Sequence, residues 1–187
     1  RHEDAIEQYQ RALTLRAQHA DSLLKLGGVY AGLNRQREAI ETLERALRVK
    51  ADHPDAYLAL GDAYRKMQRH DDAARAYQQG LRVRPNEAAL HAALGALHLS
   101  LERWQDAADA YEQATWLAPD DMDAQRSLGI ALDKLGRSDE ALNSLRKSID
   151  RRPDDPEALV LRSLAVGVLG LIDGSTYDAA EADATAA

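Results

Sequence analysis

The chain contains no cysteine and no phenylalanine, and aromatic residues make up only 5% of it. Without cysteine there is no disulfide framework and no thiol chemistry. A reduced cytosol and a periplasm both tolerate such a chain, so the compartment stays open. The longest apolar run, 158–172, carries Arg162 and two glycines. It is too short and too interrupted to be read as a membrane span. Basic residues are in the minority, 24 against 31 acidic, for a net charge of −7. That balance disfavours nucleic acid as a partner, which usually calls for a basic stripe. No glycine-rich phosphate loop, nucleophile elbow or HExxH occurs, so neither an enzyme nor a cofactor is expected. The chain opens at Arg1 in mid-pattern, with no charged-then-apolar leader behind it. A fragment of something longer is expected, its targeting information lost with the missing part.

What is present is a period. Residues 54–87 read PDAYLALGDAYRKMQRHDDAARAYQQGLRVRPNE, with Leu60-Gly61, Tyr64, Ala73, Tyr77, Gly80 and Pro85 as fixed steps. Thirty-four residues earlier stand Leu26-Gly27, Tyr30, Ala39, Leu43 and Ala46. Thirty-four later stand Leu94-Gly95, Ala107, Tyr111, Ala114 and Pro119, and a further step gives Leu128-Gly129, Leu132, Ala141, Leu145, Ser148 and Pro153. Such regularity predicts a solenoid in which each repeat leans on its neighbours. At 187 residues and 45% hydrophobic the chain can bury an ordinary core, here spread along a line.

Four complete repeats, 20–53, 54–87, 88–121 and 122–155, each hold two apolar stripes at helical spacing. Short polar connectors divide the stripes: Leu33-Asn34-Arg35, Gln68-Arg69-His70, Leu101-Glu102-Arg103 and Leu135-Gly136-Arg137. Residues 3–16 match only a second stripe, so they predict a lone second helix with apolar surface left at that end unless something covers it. His53-Pro54 and Asp155-Pro156 put proline where its missing N–H costs least. Asn86 and Asp121 are expected to cap the first helices of repeats three and four. Residues 156–171 read either as a helix capping the stack or as a degenerate fifth repeat. The tail 172–187 is acidic and Ala-rich; alone it is expected to be disordered, though it could form a helix against a partner surface.

The small residues point to close packing. Each of Gly27, Gly61, Gly95 and Gly129 costs roughly 1 kcal/mol against alanine inside a helix, so keeping them in phase implies a compensating close approach. Ala39, Ala73, Ala107 and Ala141 answer from the second helix, and Leu43, Tyr77, Tyr111 and Leu145 fill what is left.

These residues resemble the tetratricopeptide repeat: a bulky residue, Leu-Gly, Tyr, Ala, an aromatic, Ala and Pro, phased over 34 positions. The resemblance covers residues 3 to about 155 and implies an all-α, right-handed solenoid of antiparallel helix pairs. His91 and His98 depart from it in repeat three, and Ala51 stands where proline is usual. In this family the first helices line a concave groove that takes segments of partner proteins. By position the lining here would be Leu24, Gly28, Ala31, Leu58, Asp62, Arg65, Lys66, Ala92, Ala96, Leu99, Arg126, Ile130, Asp133 and Lys134. One branch of the family grips C-terminal carboxylates with Lys, Asn and Arg. The equivalent positions here hold Leu24 and Gly28, then Ala59, then Ala89 and Ala93, so that clamp is absent. An apolar middle with charged flanks implies instead an amphipathic or apolar segment as ligand.

Three constellations have alternative readings. His91 and His98 lie two turns apart, about 10 Å along a helix axis, too far to share one ion unaided, and they occupy core positions, so buried structural histidines are expected rather than metal ligands. Trp104 and Trp116 are read as packing residues, with a surface anchor for a partner as the sharper reading. Asp71-Asp72, Asp120-Asp121 and Asp154-Asp155 fall at helix starts, where the helix dipole explains them without catalysis. The expectation is therefore a non-catalytic scaffold that binds a protein or peptide segment. The alternatives are an arm of a larger enzyme such as a glycosyltransferase, and a self-assembling scaffold built by end-to-end stacking of copies.

Overall fold

The computed structural model describes residues 2–15, 19–151, 159, 160 and 163, and every regular element among them is helical. The first helices of the four repeats are α2 (Ala20–Gly32), α4 (Pro54–Lys66), α6 (Ala88–Ser100) and α8 (Met122–Lys134). The second helices are α3 (Gln36–Val49), α5 (His70–Val83), α7 (Trp104–Leu117) and α9 (Ser138–Arg151), with α1 (His2–Leu15) ahead of them. Both sets begin at intervals of 34 residues, so the period in the sequence is the period of the backbone. The expected capping helix and tail lie outside the described residues apart from three positions, of which Leu159 packs against Leu145 and Ile149.

Helix starts follow the punctuation in the sequence. His19 Nδ1 accepts from the Ser22 amide at 3.2 Å, Pro54 occupies the first turn of α4 behind His53, and Asp121 Oδ1 accepts from the Ala124 amide at 3.1 Å. The expectation for Asn86 is corrected. The residue in the phase of His53 and Asp121 is Glu87, and its carbonyl accepts the first amides of α6, from Leu90 at 3.1 Å and His91 at 3.3 Å.

Each first helix ends in one device. Asn34, Gln68 and Glu102 adopt φ of 59°, 59° and 57°, and Gly136 adopts 72°. The amide after each left-handed residue reaches back five residues: Arg35 to Tyr30, Arg69 to Tyr64, Arg103 to His98 and Arg137 to Leu132, at 2.9–3.0 Å. This is the Schellman closure of a helix C-terminus. It turns the chain within three residues, and after α2, α4 and α8 it sets the second helix against the first.

The chain divides into two compact units, residues 1–97 and 98–187. Within the first, each of α1 to α5 packs on its neighbours in sequence, and α2 also meets α4. Within the second, α7 packs on α8 and α8 on α9. The small residues do what their phase demands. A Cβ built on Gly27 would lie 2.7 Å from Leu43, one on Gly129 would lie 2.6 Å from Leu145, and one on Gly61 would enter the Tyr77 ring. Ala39, Ala73, Ala107 and Ala141 are fully buried, and the Ala39 and Ala141 carbonyls lie 3.5 and 3.4 Å from the Cβ positions of Gly27 and Gly129. The propensity cost of glycine is offset by burial of a whole Leu or Tyr side chain, worth about 1.5–3 kcal/mol.

Candidate protein-binding surface

None of the expected lining residues is in the buried core. On α2, Leu24 and Ala31 are half-buried and Gly28 is exposed, with no heavy atom within 4 Å of where its Cβ would be. On α4, Leu58, Asp62 and Arg65 are half-buried and Lys66 exposed, and on α6, Ala92 and Ala96 are half-buried. Leu99, in the second unit, is half-buried at the end of α6; on α8, Arg126, Ile130 and Asp133 are half-buried and Lys134 exposed. Two residues on, about 200° round the helix, Leu26, Leu60 and Leu128 expose no more than 6% of their surface, whereas Leu94 on α6 is half-buried. The helices α2, α4 and α8 thus each split into a face spent on the partner helix and a face left outside it.

Two of the expected lining residues, Asp62 and Arg65, are held from behind. The Tyr77 hydroxyl, on α5, donates to Asp62 Oδ1 at 2.8 Å, and Arg65 lies 3.6 Å from the same oxygen. Burial, reinforced by the Asp62 carboxylate, pushes the Tyr77 phenol well above its ordinary range. Burial also acts to lower the Arg65 pKa, but Tyr77 and Asp62 outweigh it and the net shift is upward. Arg65 therefore stays charged and Asp62 stays fixed. In the sequence Asp62 and Tyr77 are separate features, one lining and one core. Only the folded helix pair shows that the core tyrosine holds the Asp62 carboxylate.

The faces formed by successive second helices carry recesses too. Between α1 and α3, and one repeat on between α3 and α5, clefts of about 450 and 530 Å³ are floored by Tyr30 and Tyr64. Gln10 donates to the Tyr30 hydroxyl at 3.2 Å, and the Tyr64 hydroxyl donates to Glu44 at 2.8 Å. The guanidinium groups of Arg35 and Arg69 cover these rings at 4.7 and 4.5 Å from the centroids. Each is held by the acid three residues on, Glu38 or Asp72, at 2.6 Å.

Two expectations change, and the chain start follows its own. Trp116 is not packed in the core: it is 74% exposed, while Trp104 is half-buried. The phase gives the reason. The buried stripe of α7 ends at Ala114 and Thr115, and one further residue turns Trp116 about 100° away, onto the positions filled by exposed Arg48 and Arg82. His91 and His98 are half-buried rather than enclosed. His91 Nε2 lies 2.8 Å from the Pro85 carbonyl oxygen, and burial lowers the His98 pKa, with Asp106 opposing and Arg103 adding to the shift. At the chain start, Ala5, Tyr9 and Ala12 are half-buried, whereas Ala39, Leu43 and Ala46 in the same phase are fully buried. Among the described residues no cluster of His, Asp and Glu could hold a metal, and no helix is long and apolar enough to cross a membrane.

A 34-residue period, paired helices and Gly-on-Tyr packing define a helical-repeat solenoid of the protein-interaction class. Three tetratricopeptide-repeat family models match, over residues 30–68, 58–121 and 94–165. The chain is a tetratricopeptide-repeat protein. It is similar to the crystal structure of MamA, with 26% identity, a TM-score of 0.74 and coverage of 81% of this chain and 89% of that one. It is also similar in fold to YrrB, described as a TPR protein with an unusual peptide-binding site, at 20% identity, a TM-score of 0.77 and coverage of 87% and 84%. A thermophilic TPR protein of Thermus thermophilus matches at 24% identity with a TM-score of 0.67, covering 89% and 91%. No curated protein matches the chain.

Proposed function

We propose that this chain is a non-catalytic scaffold whose first helices take an amphipathic or apolar segment of a partner protein. The observation that carries the reading is the divided first helix. Leu24, Leu58 and Ile130 stay partly accessible on helices whose Leu26, Leu60 and Leu128 are buried, Ala92 stays partly accessible on α6, and Gly28 leaves open space one turn from Leu24. Accessible apolar residues flanked by Asp62, Arg65 and Lys66 on α4, and by Arg126, Asp133 and Lys134 on α8, suit apolar anchors with charged neighbours. The peptide-binding site announced for YrrB is consistent with this class of ligand. Affinity capture with the full chain and with Leu58→Glu/Ile130→Glu tests it. Both chains should show the same helical circular dichroism, and the wild-type partner set should be missing from the variant. An unchanged set of captured proteins rejects the surface.

A second reading draws on α1, whose Ala5, Tyr9 and Ala12 are less buried than their counterparts in complete repeats. A first helix supplied by a second copy would complete that packing and assemble copies end to end. Light scattering across concentration decides it, since a monomer at every concentration removes the reading.

A further inference from the structure

We propose that the cleft between the C-terminal end of α7 and helices α8 and α9 binds an arginine side chain of a partner protein. This surface lies within the second compact unit and does not depend on the reading of the first helices. The cleft encloses about 610 Å³, and its lining includes Glu112, Trp116, Asp120, Met122, Gln125 and Lys147. Two of these residues are hard to explain by folding alone. Trp116 leaves 74% of its surface exposed although no side chain is larger than an indole. Gln125 is 97% buried, the complement of its 3% exposure, and its carbonyl oxygen Oε1 is enclosed with no hydrogen-bond donor. A buried acceptor without a donor destabilises the fold unless something supplies one.

The chemistry of the lining selects the occupant. Glu112, Asp120 and Gln125 present oxygen acceptors around an exposed indole face, and Lys147 is the one cationic donor among the named lining residues. A guanidinium has five N–H donors and no acceptor, and it is planar and stacks on aromatic faces. It can lie over Trp116, give one N–H to Gln125 Oε1 and direct others to the carboxylates. A carboxylate would face three acceptor groups. A purely apolar side chain would leave Gln125 unsatisfied, and an ammonium lacks the flat surface for the indole. The protein already uses this pairing internally, with Arg35 over Tyr30 and Arg69 over Tyr64. Two periods earlier, the places of Trp116 and Gln125 are taken by Arg48 on α3 and Tyr57 on α4, so the acceptor-and-indole combination does not recur there.

The test uses the full chain and blocked Gly-Arg-Gly, Gly-Lys-Gly, Gly-Leu-Gly and Gly-Glu-Gly peptides, followed by the NMR shift of the Trp116 indole N–H with Trp104 as internal reference. Gly-Arg-Gly should give a saturable shift by about 20 mM, at least several-fold tighter than the other three. Trp116→Ala, at an exposed position, should lower the affinity about tenfold, read by isothermal titration, and Gln125→Leu several-fold. Lys147→Glu carries the sign. It removes a like charge from the rim, so it should tighten Gly-Arg-Gly binding several-fold, whereas a carboxylate ligand would be weakened. Circular dichroism checks that each variant is folded. A non-saturating titration, equal binding of Gly-Lys-Gly or Gly-Glu-Gly, or weaker Gly-Arg-Gly binding by Lys147→Glu overturns the proposal.

Discussion

The aromatic ring of Tyr77 lies against the α-carbon of Gly61 so closely that a Cβ there would overlap it. Tyr77 is fully buried and fixed at its far end by the hydrogen bond to Asp62, so it cannot swing aside. Gly61→Ala should therefore destabilise the chain by about 1–3 kcal/mol, the usual range for overpacking, despite the better helix propensity of alanine. Urea unfolding of Gly61→Ala, Tyr77→Ala and the double variant measures it. The double variant should be more stable than the sum of the single losses by at least about 1 kcal/mol. Simple additivity would mean that the two residues do not share this space.

The same pair shows how much of the fold is legible in the sequence. Gly27, Gly61 and Gly129 recur at one phase and Leu43, Tyr77 and Leu145 sixteen residues on, so close packing of paired helices can be read without coordinates. Reading by residue type alone fails where phase holds the answer. Asn86 is a good capping residue in general, but Glu87 has the phase of His53 and Asp121. Trp116 reads as a packing residue by type, yet it shares its position with Arg48 and Arg82. The hold of Tyr77 on Asp62 leaves no trace in the period, because it depends on a side chain reaching from one helix to another.

The helix-ending residues carry a stability prediction. Gln68 and Glu102 hold left-handed backbone at φ of 59° and 57°, where Gly136 occupies the equivalent place in repeat four. Left-handed conformation costs a residue with a Cβ roughly 1 kcal/mol relative to glycine, which outweighs the greater unfolded-state freedom of glycine. Gln68→Gly and Glu102→Gly should each raise the unfolding free energy by about 0.5–1 kcal/mol, and Gly136→Ala should lower it by about 1 kcal/mol. The midpoints of urea denaturation report all three. A loss in both glycine variants would show that these turns are not the limiting strain.

Acid should weaken the second unit through His98. Its pKa is lowered first by burial and further by Arg103, against the pull of Asp106. A group whose folded pKa lies below its unfolded value makes the unfolded chain bind more protons, so stability falls as pH falls through about 6.5 towards the lower folded value. His98→Tyr restores the residue found at positions 30 and 64. Its melting temperature should lose less between pH 7.5 and 5.5 than that of the parent chain. Equal losses would place the acid sensitivity elsewhere.

Alkali should weaken the fold as well, through Tyr64. Burial pushes its phenol up to about 12, and the hydrogen bond to Glu44 adds to that shift while Arg69 works against it. A raised folded pKa gives stability that is complete below the unfolded value near 10 and is lost as pH rises towards the folded one. Glu44→Gln removes the anionic acceptor but leaves the burial. The Tyr64 titration should then move down yet remain above that of a free tyrosine. Tyr64→Phe should remove its share of the alkaline loss altogether, measured as the difference in melting temperature between pH 9 and pH 11. Ultraviolet titration at the phenolate band follows the first effect. A phenol that ionises near 10 in the folded chain would mean that Tyr64 is not sealed between α3 and α5 as the cleft around it implies.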